Sequence, residues 1–169
     1  QPLTLVTLSR GVNPRAEEFK EEGVIQIARI GGSFIQDRRD DAINPSTGSY
    51  NTTTLQIANQ ALGSEVNFAS LFTQFAKYWS KGPGVIAQAV RVGWAQPYGG
   101  TVRVPITERF FAGGSTTLRG YDHDEALLGG GHLMTIANIE YRVPLRRLPV
   151  DGVGGALFYD TGNVFLEAS

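Results

Sequence analysis

Arg119 lies in the stretch ERFFAGGSTTLRGYDHDE, residues 108–125, and two carboxylates follow it at intervals that allow them to meet it. Glu140 stands in TIANIEYRVP and Asp160 in GALFYDTGNVF, each on the polar side of an alternating run. A guanidinium is a planar fork of donors that matches carboxylates in pairs. The chemistry on offer is therefore ionic anchoring, with no bond made or broken. The segment before Arg119 holds two phenylalanines and a glycine pair, so it can pack where an ordinary solvated loop cannot. If it folds back onto those strands, Arg119 can take one or both carboxylates, and pairing removes the penalty of burying a lone charge.

Other reactive residues offer less. His123 and His132 stand nine apart beside Asp122, Asp124 and Glu125, but the pattern reads as a solvated loop rather than a set of metal ligands. Ser115 in GGSTT lacks both the G-x-S-x-G elbow and a following helix. The glycines at 31–32 and 129–131 lack the strand–loop–helix context that cradles phosphate. Asn51-Thr-Thr has the form of a glycosylation acceptor but falls within a strand pattern. With no cysteine in 169 residues, disulfides, thiolate metal sites and cysteine nucleophiles are excluded. No catalytic residue, metal or cofactor is expected.

The elements that would position Arg119 and its carboxylates are strands. Runs of about ten residues rich in β-branched and aromatic side chains fall at Leu3–Ser9, Val24–Gln36, Ser49–Asn59, Val66–Ser80, Val85–Ala95, Leu133–Val143 and Val153–Phe165. RAEEFKEEG tolerates a helix, but helical periodicity appears nowhere. In TIANIEYRVP, Asn138, Glu140 and Arg142 share one face and Ala137, Ile139, Tyr141 and Val143 the other. In GALFYDTGNVF, Asp160 lies with Ala156, Phe158 and Gly162, opposite Leu157, Tyr159 and Phe165. In TTTLQIAN, Thr54, Gln56 and Ala58 oppose Leu55 and Ile57.

This alternation fits a soluble sandwich with a wet outer face, or a transmembrane barrel with an apolar outer face and a wet lumen. Strand length and loop asymmetry favour the barrel. A tilted crossing takes about 9–11 residues, against about 5–6 in an average soluble strand. SKGPG and LRRLPVDG are tight connections, whereas those after Ser9 and Ala95 are long; DRRDDAINPSTG is the exception on the short side. Tyr78, Trp79, Trp94 and Phe165 fall near strand ends, where an interfacial girdle would stand. Charged residues make up only 18% and the net charge is −1, so there is no basic footprint for nucleic acid. No apolar run is long enough for a spanning helix, and QPLTLVTLSRG has no signal-peptide pattern. Both ends fall inside strand patterns, so the chain reads as part of a larger protein.

The residues RFFAGGSTTLRGY, then ANIEYRVPL, then GALFYDTGNVF resemble the C-terminal barrel of the Omp85 superfamily, the BamA/TamA type of outer-membrane assembly protein. FIQDRRDDAINPSTGSY is similar to that family's strand–turn–strand signature, which accounts for the over-long turn. The resemblance spans about Val24 to Phe165, with four motifs in order. It implies an all-β fold: about seven strands of a sixteen-stranded antiparallel transmembrane barrel, in a partial Omp85-type (bacterial surface antigen) domain over residues 1–169. The family's POTRA repeats and last strands would lie outside it. It further implies that the external loop 96–132 tucks into the lumen, with Arg119, Gly120 and Tyr121 as its tip and Glu140 and Asp160 as the facing wall. Leu118 stands where the family commonly has valine. A tip pressed against a wall would need Gly120 for close backbone approach or positive φ, and Tyr121 would supply a packed ring with a polar end.

By the same resemblance the function is assembly, insertion or translocation of client proteins at the bacterial outer membrane, without covalent chemistry. Its partners would be outer-membrane or secreted clients, membrane lipid and accessory assembly proteins. A BamA-like or TamA-like role is favoured over two-partner secretion by RFFAGGSTTLRGY. The competing readings are a passive porin or transporter barrel, and a barrel that anchors an upstream enzyme domain.

Overall fold

The computed structural model describes residues 3–12, 25–127, 129–144 and 154–166. Seven strands are present: β1 (Leu3–Val12), β2 (Gln26–Asp37), β3 (Gly48–Ala58), β4 (Phe68–Lys81), β5 (Gly84–Pro97), β6 (Leu133–Pro144) and β7 (Gly154–Phe165). They form one antiparallel sheet in sequence order. Each expected strand exists within a few residues of its expected bounds. Two 3-10 turns, Gln60–Leu62 and Ile106–Glu108, are the only helical segments among the described residues. The segment RAEEFKEEG and the turn LRRLPVDG lie outside the described residues.

The register fixes the faces. Asn138 pairs with Asp160 and Glu140 with Phe158 across β6 and β7, so both carboxylates stand on one side of the sheet. The same side carries Ala58, Phe68, Phe72 and Arg91 through the ladders of β3, β4 and β5. The opposite side is apolar and open. Ile30, Phe34, Leu55, Ile57, Phe75, Trp79, Val90, Ile139, Leu157 and Tyr159 are exposed there. Monomeric soluble proteins rarely expose so continuous an apolar surface, and among the described residues no second sheet covers it. A single layer with an apolar outer face and a polar, loop-covered inner face is the form of a barrel wall rather than of a sandwich.

Connection lengths among the described strands vary widely without strict alternation: ten residues join β2 to β3 and nine join β3 to β4. β4 and β5 are joined by a two-residue turn, with Lys81 paired to Gly84. The β2–β3 turn is longer but tightly built. Asp40 accepts hydrogen bonds from the Ser46 hydroxyl and from the N–H groups of Asp41, Ser46 and Thr47. The Ser46 and Thr47 bonds hold its pKa below the ordinary carboxylate value. β5 runs on to Pro97, so the long connection spans 98–132 rather than 96–132. One girdle assignment is corrected: Trp79 lies on the apolar face, but Tyr78 pairs with Ala87 and stands on the inner one.

The inner face is not uniformly polar. Toward the end nearest the long loop it carries two apolar clusters built between sheet and loop. One contains Ile27, Ala58, Phe68, Ala95 and Val104, and the other Ala112, Leu118, Met134, Ile136 and Val164; Phe110 packs against both. Ile139, by contrast, faces outward at 46% exposure. Arg placed at Ile139 is expected to cost about 2–4 kcal/mol if it sits near the bilayer midplane. Folding titrations of the full-length barrel in lipid check this, and an unchanged midpoint would mean that the outward face is not in lipid.

Candidate functional site

The loop 98–132 reaches the inner wall by a chain of local contacts. Pro105 precedes the turn Ile106–Glu108, and Arg109 then donates from Nε to the Val104 carbonyl at 2.8 Å and from Nη1 to the Gly129 carbonyl at 3.1 Å. Phe110 pairs with Gly131 through two backbone hydrogen bonds of 2.9 Å, which close the base of the loop. Its ring stacks on Phe72 at 6.4 Å. Opposite Phe72 in the ladder stands Gly93, where an added Cβ would lie 2.6 Å from the Phe110 ring. A second ion pair joins Arg29 of β2 to Glu108. Burial raises the Glu108 pKa and outweighs the lowering by Arg29.

Beyond this base the chain turns at 113–117, with the Gly113 N–H and carbonyl both bonded to the Thr117 hydroxyl. Leu118 inserts into the apolar cluster at 3% exposure, and Arg119 follows it onto the wall. Arg119 Nε donates to Asp160 Oδ2 and Nη2 to Asp160 Oδ1, each at 2.8 Å. Its Nη1 donates to Glu140, and its backbone N–H reaches Asp160 Oδ2 at 3.1 Å. The guanidinium carbon lies 3.6 Å from the centroid of the Phe158 ring, a cation–π stack. Hydrogen bonding to Asp160 raises the Arg119 pKa against the opposing effect of burial, so the fork stays charged.

Three further side chains complete the arrangement. Asn138 donates to Asp160 Oδ1 at 2.8 Å and to the Thr117 carbonyl at 2.7 Å, tying wall to loop a second time. Arg91 of β5 donates to Asn138 Oδ1 at 2.6 Å and to Gln74 Oε1 at 3.2 Å. Arg142 holds the other oxygen of Glu140 at 2.6 Å. The network thus crosses β4, β5, β6 and β7. Sequence reasoning missed Asn138, although it sits two residues before Glu140 on the same face. Nothing in the sequence pointed to Arg91, because its partner strand is 47 residues away in the chain.

Two expected roles are corrected. Gly120 is exposed, has no positive φ, and an added Cβ there would meet nothing within 4 Å. Tyr121 is 53% exposed, and what holds the loop there is its backbone, bonded to Leu118 and Gly114. The tip therefore presses on the wall through Arg119 and Leu118. His123 pairs with Asp124 at 3.0 Å with its imidazole largely exposed. No group of three metal-ligating side chains converges among the described residues.

Sequence comparison matches residues 5–169 to the Omp85 superfamily domain. The chain belongs to the Omp85 superfamily. It is 25% identical over 154 residues to the outer membrane protein assembly factor BamA of Nitratidesulfovibrio vulgaris, covering 86% of this chain and 19% of that protein. Its fold matches the crystal structure of BamA from Haemophilus ducreyi lacking POTRA domains 1-3, with a TM-score of 0.73 and 19% identity. That match covers 91% of this chain and 32% of the other. The chain thus spans about a fifth of the curated relative and about a third of the solved one. This Omp85 sheet is part of a barrel wall of the bacterial outer membrane. In it Gly93 is the wall glycine over which the Phe110 ring of the loop base sits. Gly120→Ala is expected to leave protease resistance of residues 108–132 unchanged in membranes, while Gly93→Val displaces Phe110 and speeds cleavage there. Equal rates for the two variants would contradict this packing.

Proposed function

We propose that this chain forms part of the wall of a barrel that assembles or inserts client β-proteins in the bacterial outer membrane. Its long loop lies in the lumen, with Arg119, Gly120 and Tyr121 at the tip and Glu140 and Asp160 as wall partners. The observation that carries the reading is the fork of Arg119 on two carboxylates from adjacent strands, in a chain of the Omp85 superfamily. A curated relative named as an assembly factor supports the same activity. The work requires no covalent step. A barrel of this kind lowers the barrier for a client strand to enter the bilayer by thinning the lipid nearby and opening a seam between strands, and the inward loop braces the wall while that happens. Clients would be outer-membrane or secreted proteins, with membrane lipid and accessory assembly proteins as further partners.

The charged lining of Arg91, Arg142 and Glu140 favours the porin as the second reading, because a passive channel also carries polar groups on its inner face. The two separate in liposomes containing the full-length protein. Assembly predicts that an unfolded client barrel folds faster than in empty liposomes, scored by heat-modifiable gel migration, and that Arg119→Ala slows it severalfold while the barrel itself stays folded. Ion conductance without any acceleration of client folding would instead support the porin. Client folding at the wild-type rate in Arg119→Ala would remove the loop anchor from the mechanism.

A further inference from the structure

Beneath the turn at 113–117, between loop and wall, lies a half-enclosed cavity of about 180 Å3. It is lined chiefly by Tyr78, Arg91, Ser115, Arg119, Glu140 and Arg142. Its charge does not balance locally. Three guanidinium groups face one lining carboxylate, Glu140, and the other nearby carboxylate, Asp160, is taken by Arg119 and Asn138. Glu140 is likewise taken, by Arg119 and Arg142.

Arg91 is the group left over. Its partners are Gln74 and Asn138, both neutral amides, and it has no carboxylate salt bridge among the described residues. These bonds use Nε and Nη1, so of the five N–H donors of a guanidinium Arg91 keeps three uncommitted. Arg142 commits only Nε, to Glu140. A part-buried cation satisfied only by neutral groups costs more than one that meets an anion. Ser115 and Tyr78 line the same space, and their side chains carry hydroxyl donors.

We propose that this cavity is an oxyanion-binding site, taking one phosphate-sized or carboxylate-sized anion from the aqueous lumen between Arg91 and Arg142 under the loop. The space is sufficient for such an ion with several waters, given about 30 Å3 for each water. Guanidinium forks bind phosphate and carboxylate oxygens in the same bidentate manner. Because Ser115 belongs to the loop and Arg91 to the wall, the anion joins the two and adds to the clamp that Arg119 makes. The site requires only the loop seated on the wall and is independent of the assembly reading.

The test uses the full-length protein in membranes, with inorganic phosphate titrated against chloride at matched ionic strength. The readout is the half-life of residues 108–132 under protease, and acetate in a parallel titration separates a singly charged carboxylate from the more highly charged phosphate. In wild type, phosphate is expected to lengthen the half-life in a saturable way beyond the chloride control. Arg91→Gln is expected to raise the half-saturating concentration by about tenfold, the loss of one charge-assisted contact. Arg91→Lys, which keeps the charge but not the fork, is expected to fall between the two. Saturation by acetate at the concentration that suffices for phosphate would assign the site to carboxylates. No saturable effect of either anion in wild type, a measurement that needs no variant, would overturn the proposal. An identical titration curve in a folded Arg91 variant would also overturn it, by placing the anion elsewhere.

Discussion

The arrangement depends on two carboxylates held on one face of adjacent strands with a guanidinium between them. In the β6–β7 ladder Asp160 stands opposite Asn138, so Glu140 is its diagonal neighbour two residues along. Diagonal neighbours on one face of an antiparallel pair lie about 7–8 Å apart, their Cβ atoms somewhat closer, and a planar guanidinium can span that gap with donors at both ends. Alone, the two acids would repel each other across a low-dielectric wall. With Arg119 between them, Asp160 receives a bidentate pair and Glu140 a single bond. The pleat of the sheet, rather than any local loop motif, sets the spacing that makes arginine the fitting residue. Lysine would bring one point of charge where two directions must be met.

That ionic contact is only one end of the loop's attachment. The rest is apolar: Phe110 sits over Gly93 and against Phe72 at the base, and Leu118, beside Arg119 at the tip, enters a cluster with Met134, Ile136 and Val164. A single-layer sheet has no opposite layer to supply a core. The loop takes that place on the inner side, as lipid does on the outer. This explains why a loop so rich in glycine and polar residues also carries Phe110, Ala112 and Leu118. Those residues cover the apolar part of the wall, and the arginine covers its charged part.

Much of this was legible in the sequence, because a period of two assigns each residue to a face once a strand is recognised. Composition marks all seven strands; alternation then groups Glu140 and Asp160 apart from Leu55, Ile57, Ile139, Tyr141, Leu157 and Tyr159, and strand length, loop asymmetry and the family resemblance set which face is outward. The departures have two sources: coverage by a distant loop, which alternation does not carry, and placements made without using parity. Met134, Ile136 and Val164 share the face of Asn138 and Asp160, yet the loop buries them, and no strand pattern reveals what a distant loop will cover. Closeness to a strand end suggests the girdle for Tyr78, but its parity puts it inside. The resemblance implies close approach at Gly120 and a packed ring at Tyr121, whereas the geometry has close approach at Gly93, Gly113 and Gly131 and the packed side chain at Leu118. Gly93 could not be read from its neighbours, since its glycine requirement comes from a ring 17 residues later in the chain.

The two kinds of attachment respond differently to water. A guanidinium–carboxylate fork in a wet lumen is weakened by solvent and salt, because both partners regain hydration on parting. The side chains of Arg119 and Glu140 are 24% and 19% exposed, so water already reaches them, whereas that of Asp160 is 7% exposed. The apolar contacts gain no such compensation on opening, since Phe110 and Leu118 would enter water and leave a void behind them. Release of the Arg119 side chain alone is therefore the cheaper motion, with Leu118 and Phe110 staying packed. Asn138 limits that motion, because it binds both Asp160 and the Thr117 carbonyl and keeps the turn on the wall even if the arginine lets go. Lifting the whole loop requires the amide, the fork and the aromatic base to part together, and this makes the loop a brace in the wall rather than an appendage lying on it.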